Sequence, residues 1–178
     1  MAKVKVTGGR LRGRTLPHAV PEGVRPTSAR VREALFNILG QDLTGSSVLD
    51  AFGGSGMLAL EAWSRGAEPV VVVELDGRAA QAIRTAAAKL GASLEVRQGK
   101  CPASAPRGPF DLVLVDPPYE QDLAPILQGL APRVGGCLVA EHRSRVTPPQ
   151  VEGLELLRTR RYGDTSLSFY RPSEGSGR

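Results

Sequence analysis

The apolar residues of the chain fall into two kinds of pattern that alternate from residue 48 onward. Short runs rich in β-branched residues predict strands buried in a sheet, and they are residues 48–51, 70–74, 94–98, 110–115 and 137–140. The stretches between them favour helices, and they are residues 57–65, 78–90 and 122–130. Strands that alternate with helices in this way predict a parallel sheet with helices on both faces.

The carboxyl end of the chain departs from this alternation. Residues 154–161 and 166–171 are two extended runs, and the turn residues 162–165 between them predict a hairpin. Residues 173–178 are short and polar, and we expect this tail to be disordered.

The amino end predicts a second hairpin. Residues 3–7 and 10–16 alternate on either side of Gly8-Gly9, a pair typical of a tight turn between strands. Residues 17–27 contain three prolines and are expected to form an irregular linker. Ser28 can then cap a helix. The predicted boundaries are 1–27 for the hairpin and linker, 28–172 for an α/β domain, and 173–178 for the tail.

Basic residues are concentrated at the amino end of a chain whose formal net charge is +5. Up to residue 32 there are eight lysines and arginines and one acid, Glu22. Arginine predominates there, and its guanidinium can bind a phosphate through two hydrogen bonds. This distribution favours a nucleic-acid partner over a surface that only aids solubility. The residues expected to contact phosphate are Arg10, Arg12, Arg14, Arg25 and Arg30.

The first three of these arginines are predicted to form a row. If residues 10–16 are a strand, Arg10, Arg12 and Arg14 share one of its faces, because side chains alternate along a strand. Arg32 is left out of this set, because an arginine beside Glu33 on a helix could equally be structural.

Length and composition disfavour several classes of protein. A chain of 178 residues suits one domain with a single sizeable core. No run approaches the ~20 apolar residues of a membrane helix. The amino end lacks a signal-peptide core, so we expect a cytoplasmic protein without a membrane partner. We also expect a monomer. Cys101 and Cys137 lack metal-ligand spacing, and only His18 and His142 could join them, so we expect no metal site.

The tetrapeptide Asp116-Pro117-Pro118-Tyr119 directly follows the buried run 110–115. It therefore stands at the carboxyl end of a strand, where open α/β sheets bind ligands. Asp116 can accept hydrogen bonds from an amino group, and the two prolines stiffen the loop and have no N–H. A base can stack on Tyr119, which contributes about 1–3 kcal/mol. These features favour a site for an amino group on a flat heterocycle over a simple proline-rich turn.

A glycine loop, Gly53-Gly54-Ser55-Gly56, follows the first predicted strand and leads into a helix. Glycine lets the backbone approach a ligand closely, and the amides at a helix start suit a polar or anionic group. Glu74 ends the next strand, at a spacing that suits an acid binding ribose hydroxyls. The loop and this acid predict a nucleotide cofactor.

Two cofactors compete for this loop. Residues 54–59 fit the loose dinucleotide pattern G-x-G-x-x-A. Asp50 argues against a dinucleotide, because a carboxylate just before the loop would repel a pyrophosphate and attract the cationic amino-acid end of S-adenosylmethionine. With the tetrapeptide downstream, S-adenosylmethionine is favoured. The expected contacts are Asp50, Phe52, Gly53, Gly54, Ser55, Gly56 and Glu74.

With these motifs placed, nearly the whole chain resembles the RsmD family, bacterial methyltransferases that modify N2 of one guanine in 16S ribosomal RNA. Residues 9–14 are similar to the family's G-x-x-R-G-R opening, and residues 25–37 closely match its R-P-T-x-x-x-[VR]-R-E-x-L-F-N stretch. Glu141-His142 and the turn 162–165 also match. The glycine loop and the tetrapeptide occur in many amino-methyltransferases and are less specific.

The resemblance implies a Rossmann-like methyltransferase fold of seven mostly parallel strands, the last of them antiparallel. It implies S-adenosylmethionine as the cofactor and ribosomal RNA or the assembled small subunit as the partner. Asp116 and the Pro117 carbonyl would accept hydrogen bonds from the guanine amine, within a stiff loop that includes Pro118. Tyr119 would stack on a base flipped out of its helix. Residues 28–172 would then be the methyltransferase domain.

Two positions depart from the family pattern. Gly54 replaces a usual alanine, and Lys100 stands where the family often has an aspartate that binds the adenine amino group. Because lysine cannot accept a hydrogen bond, adenine would be held by a backbone carbonyl or by packing against Leu75.

Three alternatives stay open. The first is a methyltransferase that acts on adenine N6 of DNA or on glutamine N5 of a protein. The second is an NAD-dependent oxidoreductase, for which His142 would be the candidate proton donor. The third is an RNA-binding protein without catalysis.

Overall fold

A seven-stranded sheet forms the centre of the computed structural model, which describes residues 3–18 and 27–175. In chain order the strands are β1 (Val48–Asp50), β2 (Val70–Glu74), β3 (Glu95–Gln98), β4 (Phe110–Val115), β5 (Val134–Arg143), β6 (Leu154–Tyr162) and β7 (Thr165–Pro172). Their order across the sheet is β3-β2-β1-β4-β5-β7-β6. Neighbours from β3 to β5 are parallel, whereas β7 is antiparallel to β5 and to β6. The predicted seven-stranded, mostly parallel sheet with an antiparallel last strand is confirmed.

Helices cover both faces of this sheet, as predicted. In the described residues they are α1 (Ala29–Leu39), α2 (Met57–Ser64), α3 (Gly77–Leu90) and α4 (Leu123–Leu130). Ser28 caps α1 as expected, because its side-chain oxygen accepts from the Val31 N–H at 3.2 Å. Helices α1 to α3 share a core with one face of the sheet, and α4 shares a second core with the other face.

Strand β5 is longer than the predicted run 137–140. At its start, a Cβ at Gly136 would lie 2.5 Å from the Asp111 carbonyl oxygen, so the close approach of β4 requires glycine. At its end, the polar residues 141–143 continue the strand by pairing with β7. The prediction from apolar runs was too short because glycines and polar residues form the two ends of this strand.

The amino-terminal hairpin has a different turn from the predicted one. Lys5 and Thr15 form an antiparallel bridge, but the chain between them reverses through a 3-10 helix at Gly9–Leu11. The predicted strand is therefore wrong for residues 10–12, and so is the row of arginines on one of its faces, whereas residues 14–16 pair with residues 4–6 as predicted. Arg10 lies in the 3-10 helix and Arg12 in the turn after it.

The two glycines at this turn serve a close contact with α2 and its end. A side chain at Gly8 would collide with Arg65, and one at Gly9, whose φ is +73°, would collide with the backbone of Ser64. Ser64 completes the contact, because its hydroxyl donates to the Gly8 carbonyl at 2.6 Å and accepts from the Leu11 N–H at 2.8 Å. The glycine pair thus marks a docking contact instead of a two-residue turn.

A buried charge cluster fastens the amino-terminal segment to the helices. Glu61 of α2 is fully buried between the guanidinium groups of Arg32 and Arg65. Arg32 also donates to the carbonyl oxygens of Lys5 at 3.0 Å and Thr27 at 2.6 Å. Arg32 is therefore structural.

The amino-terminal segment also contributes to the core: Val6, Leu11 and Leu16 pack with α1 and α2. Arg25 and the linker residues 19–26 lie outside the described residues, as do residues 176–178 of the predicted tail. Across the described ranges, no helix combines the length and apolar character that a membrane crossing requires.

Candidate active site

Four neighbouring parallel strands each carry an acid at the carboxyl end. We call these four acids the acidic row, and across the sheet they are Glu74 of β2, Asp50 of β1, Asp116 after β4 and Glu141 of β5. Each stands two residues beyond an apolar residue of the core shared with α1 to α3, namely Val72, Val48, Leu114 and Val139. Because side chains alternate along a strand, the four acids point to the same face of the sheet.

A cavity of about 1280 Å³ is lined by residues from the acidic row, the glycine loop and the start of α1. The loop is packed tightly on the sheet side, where a Cβ at Gly53 would lie 2.6 Å from Val72 Cγ1. Gly56 adopts a φ of +81° directly before α2. The predicted cofactor residues Phe52, Gly53, Gly54 and Ser55 line this cavity.

Asp50 lies buried beneath the glycine loop. Its Oδ1 is 3.4 Å from the Phe52 N–H, whereas its Oδ2 has no hydrogen-bond partner in the part of the chain that the structure describes. Burial, and then the charge of Asp116, raise the pKa of Asp50 well above its ordinary value. A buried carboxylate in this state is suited to a cationic ligand that also donates hydrogen bonds.

Glu74 links the glycine loop to the turn after β2. One of its oxygens accepts from the Gly54 N–H at 2.7 Å, and the other accepts from the Asp76 N–H at 2.9 Å. Carboxylate oxygens have further lone pairs, so both can still accept from ribose hydroxyls. Leu75 beside it is 63% exposed and lines the cavity together with Lys100. A flat base could cover Leu75 there.

The tetrapeptide forms another wall of the cavity. Burial raises the pKa of Asp116 to about 6, although a hydrogen bond from Thr27 acts in the opposite direction. The Pro118 carbonyl accepts from the Gln121 N–H at 3.0 Å and closes the turn. The Tyr119 hydroxyl is 3.0 Å from Thr165 Oγ1, which fixes the ring.

Comparison with known proteins agrees with this architecture. The family model described as conserved hypothetical protein 95 matches residues 4–171. The chain is 39% identical over 124 residues to ribosomal RNA small subunit methyltransferase D of Escherichia coli, an alignment that covers 68% of this chain and 63% of that protein. It is 31% identical to YlbH of Bacillus subtilis, with 94% of this chain and 98% of YlbH covered. The chain belongs to the RsmD family.

Solved structures extend the agreement over nearly the whole chain. The Escherichia coli protein yhhF superimposes with a TM-score of 0.84 at 32% identity, and 97% of this chain and 99% of that one are covered. A Thermus thermophilus protein gives a TM-score of 0.81 at 30% identity, with 94% and 99% covered. The expected Rossmann-like methyltransferase fold is confirmed for this RsmD-family chain.

Sequence reasoning gave no role to two residues of this RsmD-family site. The Thr27 hydroxyl lies 3.0 Å from Asp116 Oδ2 and 3.1 Å from Glu141 Oε2. Thr27 has no local signal, because it is 89 positions from Asp116. Glu141 was noted only as part of the family pattern, although its position at a strand end could have identified it.

The predicted RNA-contacting arginines are spread along the molecule. Arg10 stacks on the Trp63 ring, 3.9 Å from its centre, near the carboxyl end of α2. That end lies about 12 Å along the helix from the glycine loop. Arg12 and Arg14 are exposed in the same segment, and none of these three arginines is among the residues that line the cavity beside the tetrapeptide. Arg30 is exposed in the first turn of α1, beside the cavity.

A second group of arginines lies at the carboxyl ends of β5 and β6. We call Arg143, Arg160 and Arg161 the strand-end arginines, and all three are exposed. The Arg143 guanidinium covers one face of Tyr119, at 4.8 Å from the ring centre. These arginines were not predicted as a group, because they are distributed over two strands.

Proposed function

We propose that this protein is an S-adenosylmethionine-dependent methyltransferase acting on the exocyclic N2 amine of a guanine in 16S ribosomal RNA. The observation that carries the proposal is the place of the acidic row at one cavity, which Glu74, Asp116 and Glu141 line, while Asp50 is buried beneath the glycine loop. Asp50 and Glu74 suit the cofactor, and Asp116 suits the amine, on three adjacent strands. The names of the relatives support ribosomal RNA as the partner.

The residues around the cavity fit S-adenosylmethionine. Asp50 Oδ2 suits its ammonium group, Glu74 its ribose hydroxyls, and Leu75 its adenine. When bound, the cofactor supplies a methyl group activated by a positively charged sulfur. The carboxylates of Asp50 and Asp116 favour this cation and disfavour the pyrophosphate of a dinucleotide.

His142 is not available as the proton donor that the oxidoreductase alternative requires. This residue is buried, and its ring nitrogens lie 2.7 Å from Ser168 Oγ and 2.9 Å from the Arg143 carbonyl oxygen. Both ring nitrogens therefore have hydrogen-bond partners within the sheet and are not available to donate a proton to a substrate.

Asp116 makes the amine reactive. The lone pair of guanine N2 is delocalised into the ring, so N2 is a weak nucleophile in its planar form. Hydrogen bonds from its two N–H groups to Asp116 and the Pro117 carbonyl favour a tetrahedral nitrogen and localise the lone pair. N2 loses a proton as it is methylated. With a pKa of about 6, Asp116 can accept this proton and release it to water near neutral pH.

No covalent enzyme intermediate is assigned. Burial raises the pKa of the Cys101 thiol to about 12 and that of the Cys137 thiol to about 11. Both thiols therefore stay protonated and weakly nucleophilic near neutral pH.

Tyr119 receives the flipped base on the ring face opposite Arg143. A base between this ring and the cavity lies next to Asp116, and Arg143 adds a positive charge for the neighbouring phosphates. The partner is ribosomal RNA or the assembled small subunit, and we place the reaction in the cytoplasm.

Two measurements test the function. S-adenosylhomocysteine at 100 times its dissociation constant should stabilise the protein by about 2.7 kcal/mol, while NAD should leave its melting temperature unchanged. Mass mapping of small-subunit RNA should show one methylated guanine that is lost when the gene is removed. Loss of a methyl group from DNA adenine or protein glutamine, with ribosomal RNA unchanged, would instead support those alternatives.

A further inference from the structure

Thr27 connects the start of α1 to the acidic row. It directly precedes Ser28, the residue that caps α1, and it lines the cavity. Its hydroxyl lies 3.0 Å from Asp116 Oδ2 and 3.1 Å from Glu141 Oε2. A side chain from outside the sheet therefore contacts the acid that the proposed function assigns to the amine.

The backbone of Thr27 is fixed by buried groups of the protein. Its carbonyl oxygen accepts from Arg32 Nη1 at 2.6 Å, and Arg32 is itself held by the buried Glu61. The same guanidinium donates to the Lys5 carbonyl oxygen at 3.0 Å and so connects Thr27 to the amino-terminal segment. The position of the Thr27 hydroxyl is therefore set by the fold before any substrate binds, as a preorganised site requires.

The single hydrogen of this hydroxyl has two carboxylates within its reach. Glu141 makes a further interaction besides its contact with Thr27. For Asp116, in contrast, Thr27 is the hydrogen-bond donor that the described part of the chain provides. Withdrawing a carboxylate from water is costly without such a donor. A hydrogen bond from Thr27 therefore stabilises Asp116 more than it stabilises Glu141.

Building on the proposed function, we propose that Thr27 is a positioning residue for methyl transfer. Its hydroxyl donates to Asp116 Oδ2, which fixes the carboxylate and leaves Oδ1 to accept from the amine of the target base. A carboxylate that is already oriented does not have to be ordered as the amine changes geometry. The bond therefore increases the rate of the chemical step and leaves cofactor affinity unchanged.

The same hydrogen bond affects the ionisation of Asp116. Burial raises the pKa of Asp116 to about 6, and the bond from Thr27 acts in the opposite direction because it stabilises the charged form. Without the hydroxyl, this pKa should therefore rise further. The charges around Asp116 come from other elements and stay in place when Thr27 is replaced: Asp50 of β1, Glu141 of β5, and Glu74, Lys100 and Arg143 around the cavity.

Thr27→Val tests this role, since it removes the hydroxyl and nearly preserves the shape of the side chain. The substrate is 16S ribosomal RNA from cells that lack the gene. With saturating S-adenosylmethionine, the single-turnover rate should fall by about tenfold or more, while cofactor affinity measured by calorimetry stays unchanged. Thr27→Ser keeps the hydroxyl and should restore most of the rate. Thr85→Val, exposed on α3, is the matched control and should behave as wild type.

Carbon-13 NMR of the side-chain carboxyl groups provides a readout without RNA or cofactor. The variants Asp116→Asn and Glu141→Gln assign the two signals. The titration midpoint of Asp116 should lie at about pH 6 in wild-type protein and at higher pH in Thr27→Val. Thr27→Ser should return this midpoint toward the wild-type value.

Three results would refute the role of Thr27. The first is a wild-type rate or an unchanged Asp116 midpoint in Thr27→Val. The second is a shift of the Glu141 midpoint without one at Asp116, which would show that the hydrogen goes to Glu141. The third is a Thr27→Ser variant as slow as Thr27→Val, which would attribute the loss to packing. Should Thr27→Val not fold, Thr27→Ala also lacks the hydroxyl and is judged by the same results.

The proposed function has a separate criterion. It fails if wild-type protein methylates no guanine amine, whatever the titration of Asp116 shows. The NMR measurement thus distinguishes a missing hydrogen bond from a wrongly assigned reaction.

Discussion

Arg32 donates a 2.6 Å hydrogen bond to the carbonyl oxygen of Thr27, whose hydroxyl contacts Asp116, the proposed catalytic residue. Through this bond the buried cluster around Glu61 supports the position of a residue in the active site. The cluster thus stabilises the positions of both the amino-terminal segment and the wall of the cavity.

Stability should depend strongly on Glu61. Glu61→Ala would leave two buried guanidinium groups without their counter-charge, and we expect a loss of about 3–5 kcal/mol in the free energy of unfolding. Denaturant unfolding measures this loss. Glu155→Ala removes an exposed ion pair with Arg171 and should cost less than about 1 kcal/mol. Equal effects of the two variants would contradict the role of the cluster.

Catalysis should depend on ionised Asp116. Its carboxylate must be unprotonated to accept from the amine, and its pKa is raised to about 6 by burial. The value of kcat/KM for S-adenosylmethionine, which reports the protein before the cofactor binds, should therefore increase as pH rises through about 6 and then reach a plateau. Asp116→Ala should lower the rate by about 100-fold or more with cofactor affinity nearly unchanged. A kcat/KM for S-adenosylmethionine that is independent of pH between about 5 and 7 would refute this assignment.

Cofactor affinity should depend on Glu74. Glu74→Ala removes the acceptor for ribose and releases the Gly54 N–H, so affinity for S-adenosylmethionine should fall by about tenfold or more. Isothermal titration calorimetry measures it. Glu95→Ala, exposed on β3, is the control. Unchanged affinity in Glu74→Ala would show that this carboxylate serves the loop alone.

Cofactor binding should release protons. The pKa values of Asp50 and Asp116 are raised in the free protein, and a bound cation stabilises their charged forms, which lowers both pKa values. Affinity for S-adenosylmethionine should therefore increase with pH between about 5 and 7. Calorimetry in two buffers of different ionisation enthalpy counts the protons. S-adenosylhomocysteine lacks the charged sulfur, so its binding should release fewer protons. Equal proton release by both ligands would argue against an electrostatic role for Asp50 and Asp116.

The salt dependence of RNA binding should show which of the two groups of arginines contacts phosphate. Each lost phosphate contact should reduce the log–log salt slope of binding by roughly 0.7–0.9. The predicted role of the amino-terminal arginines requires this reduction in the Arg12→Ala, Arg14→Ala double variant. The Arg160→Ala, Arg161→Ala double variant tests the strand-end arginines in the same assay. Arg10 is unsuited to this comparison, because its loss also removes packing on Trp63. A wild-type slope in either double variant would remove that group from the interface.

The sequence predicted the sheet and the positions of Asp50, Glu74 and Asp116 at strand ends, because these features are local. A buried strand followed by a glycine loop or by the tetrapeptide can be recognised from consecutive residues, as at Asp50 and Asp116. Thr27 and Arg143 could not be assigned in this way, since each acts through a residue far along the chain. The Gly8-Gly9 turn was wrong because glycine serves close packing as readily as chain reversal, and only the position of α2 distinguishes the two.

The place of β7 between β5 and β6 has a consequence for the order in which the protein matures. β7 follows β5 and β6 in the chain, yet it lies between them in the sheet. Until it inserts, β5 keeps an unpaired edge that invites association with other chains. Thr165, the hydroxyl partner of Tyr119, arrives with the same strand. A chain in which β1 to β6 have formed but β7 has not therefore exposes the edge of β5, and Tyr119 gains its Thr165 contact only when β7 pairs.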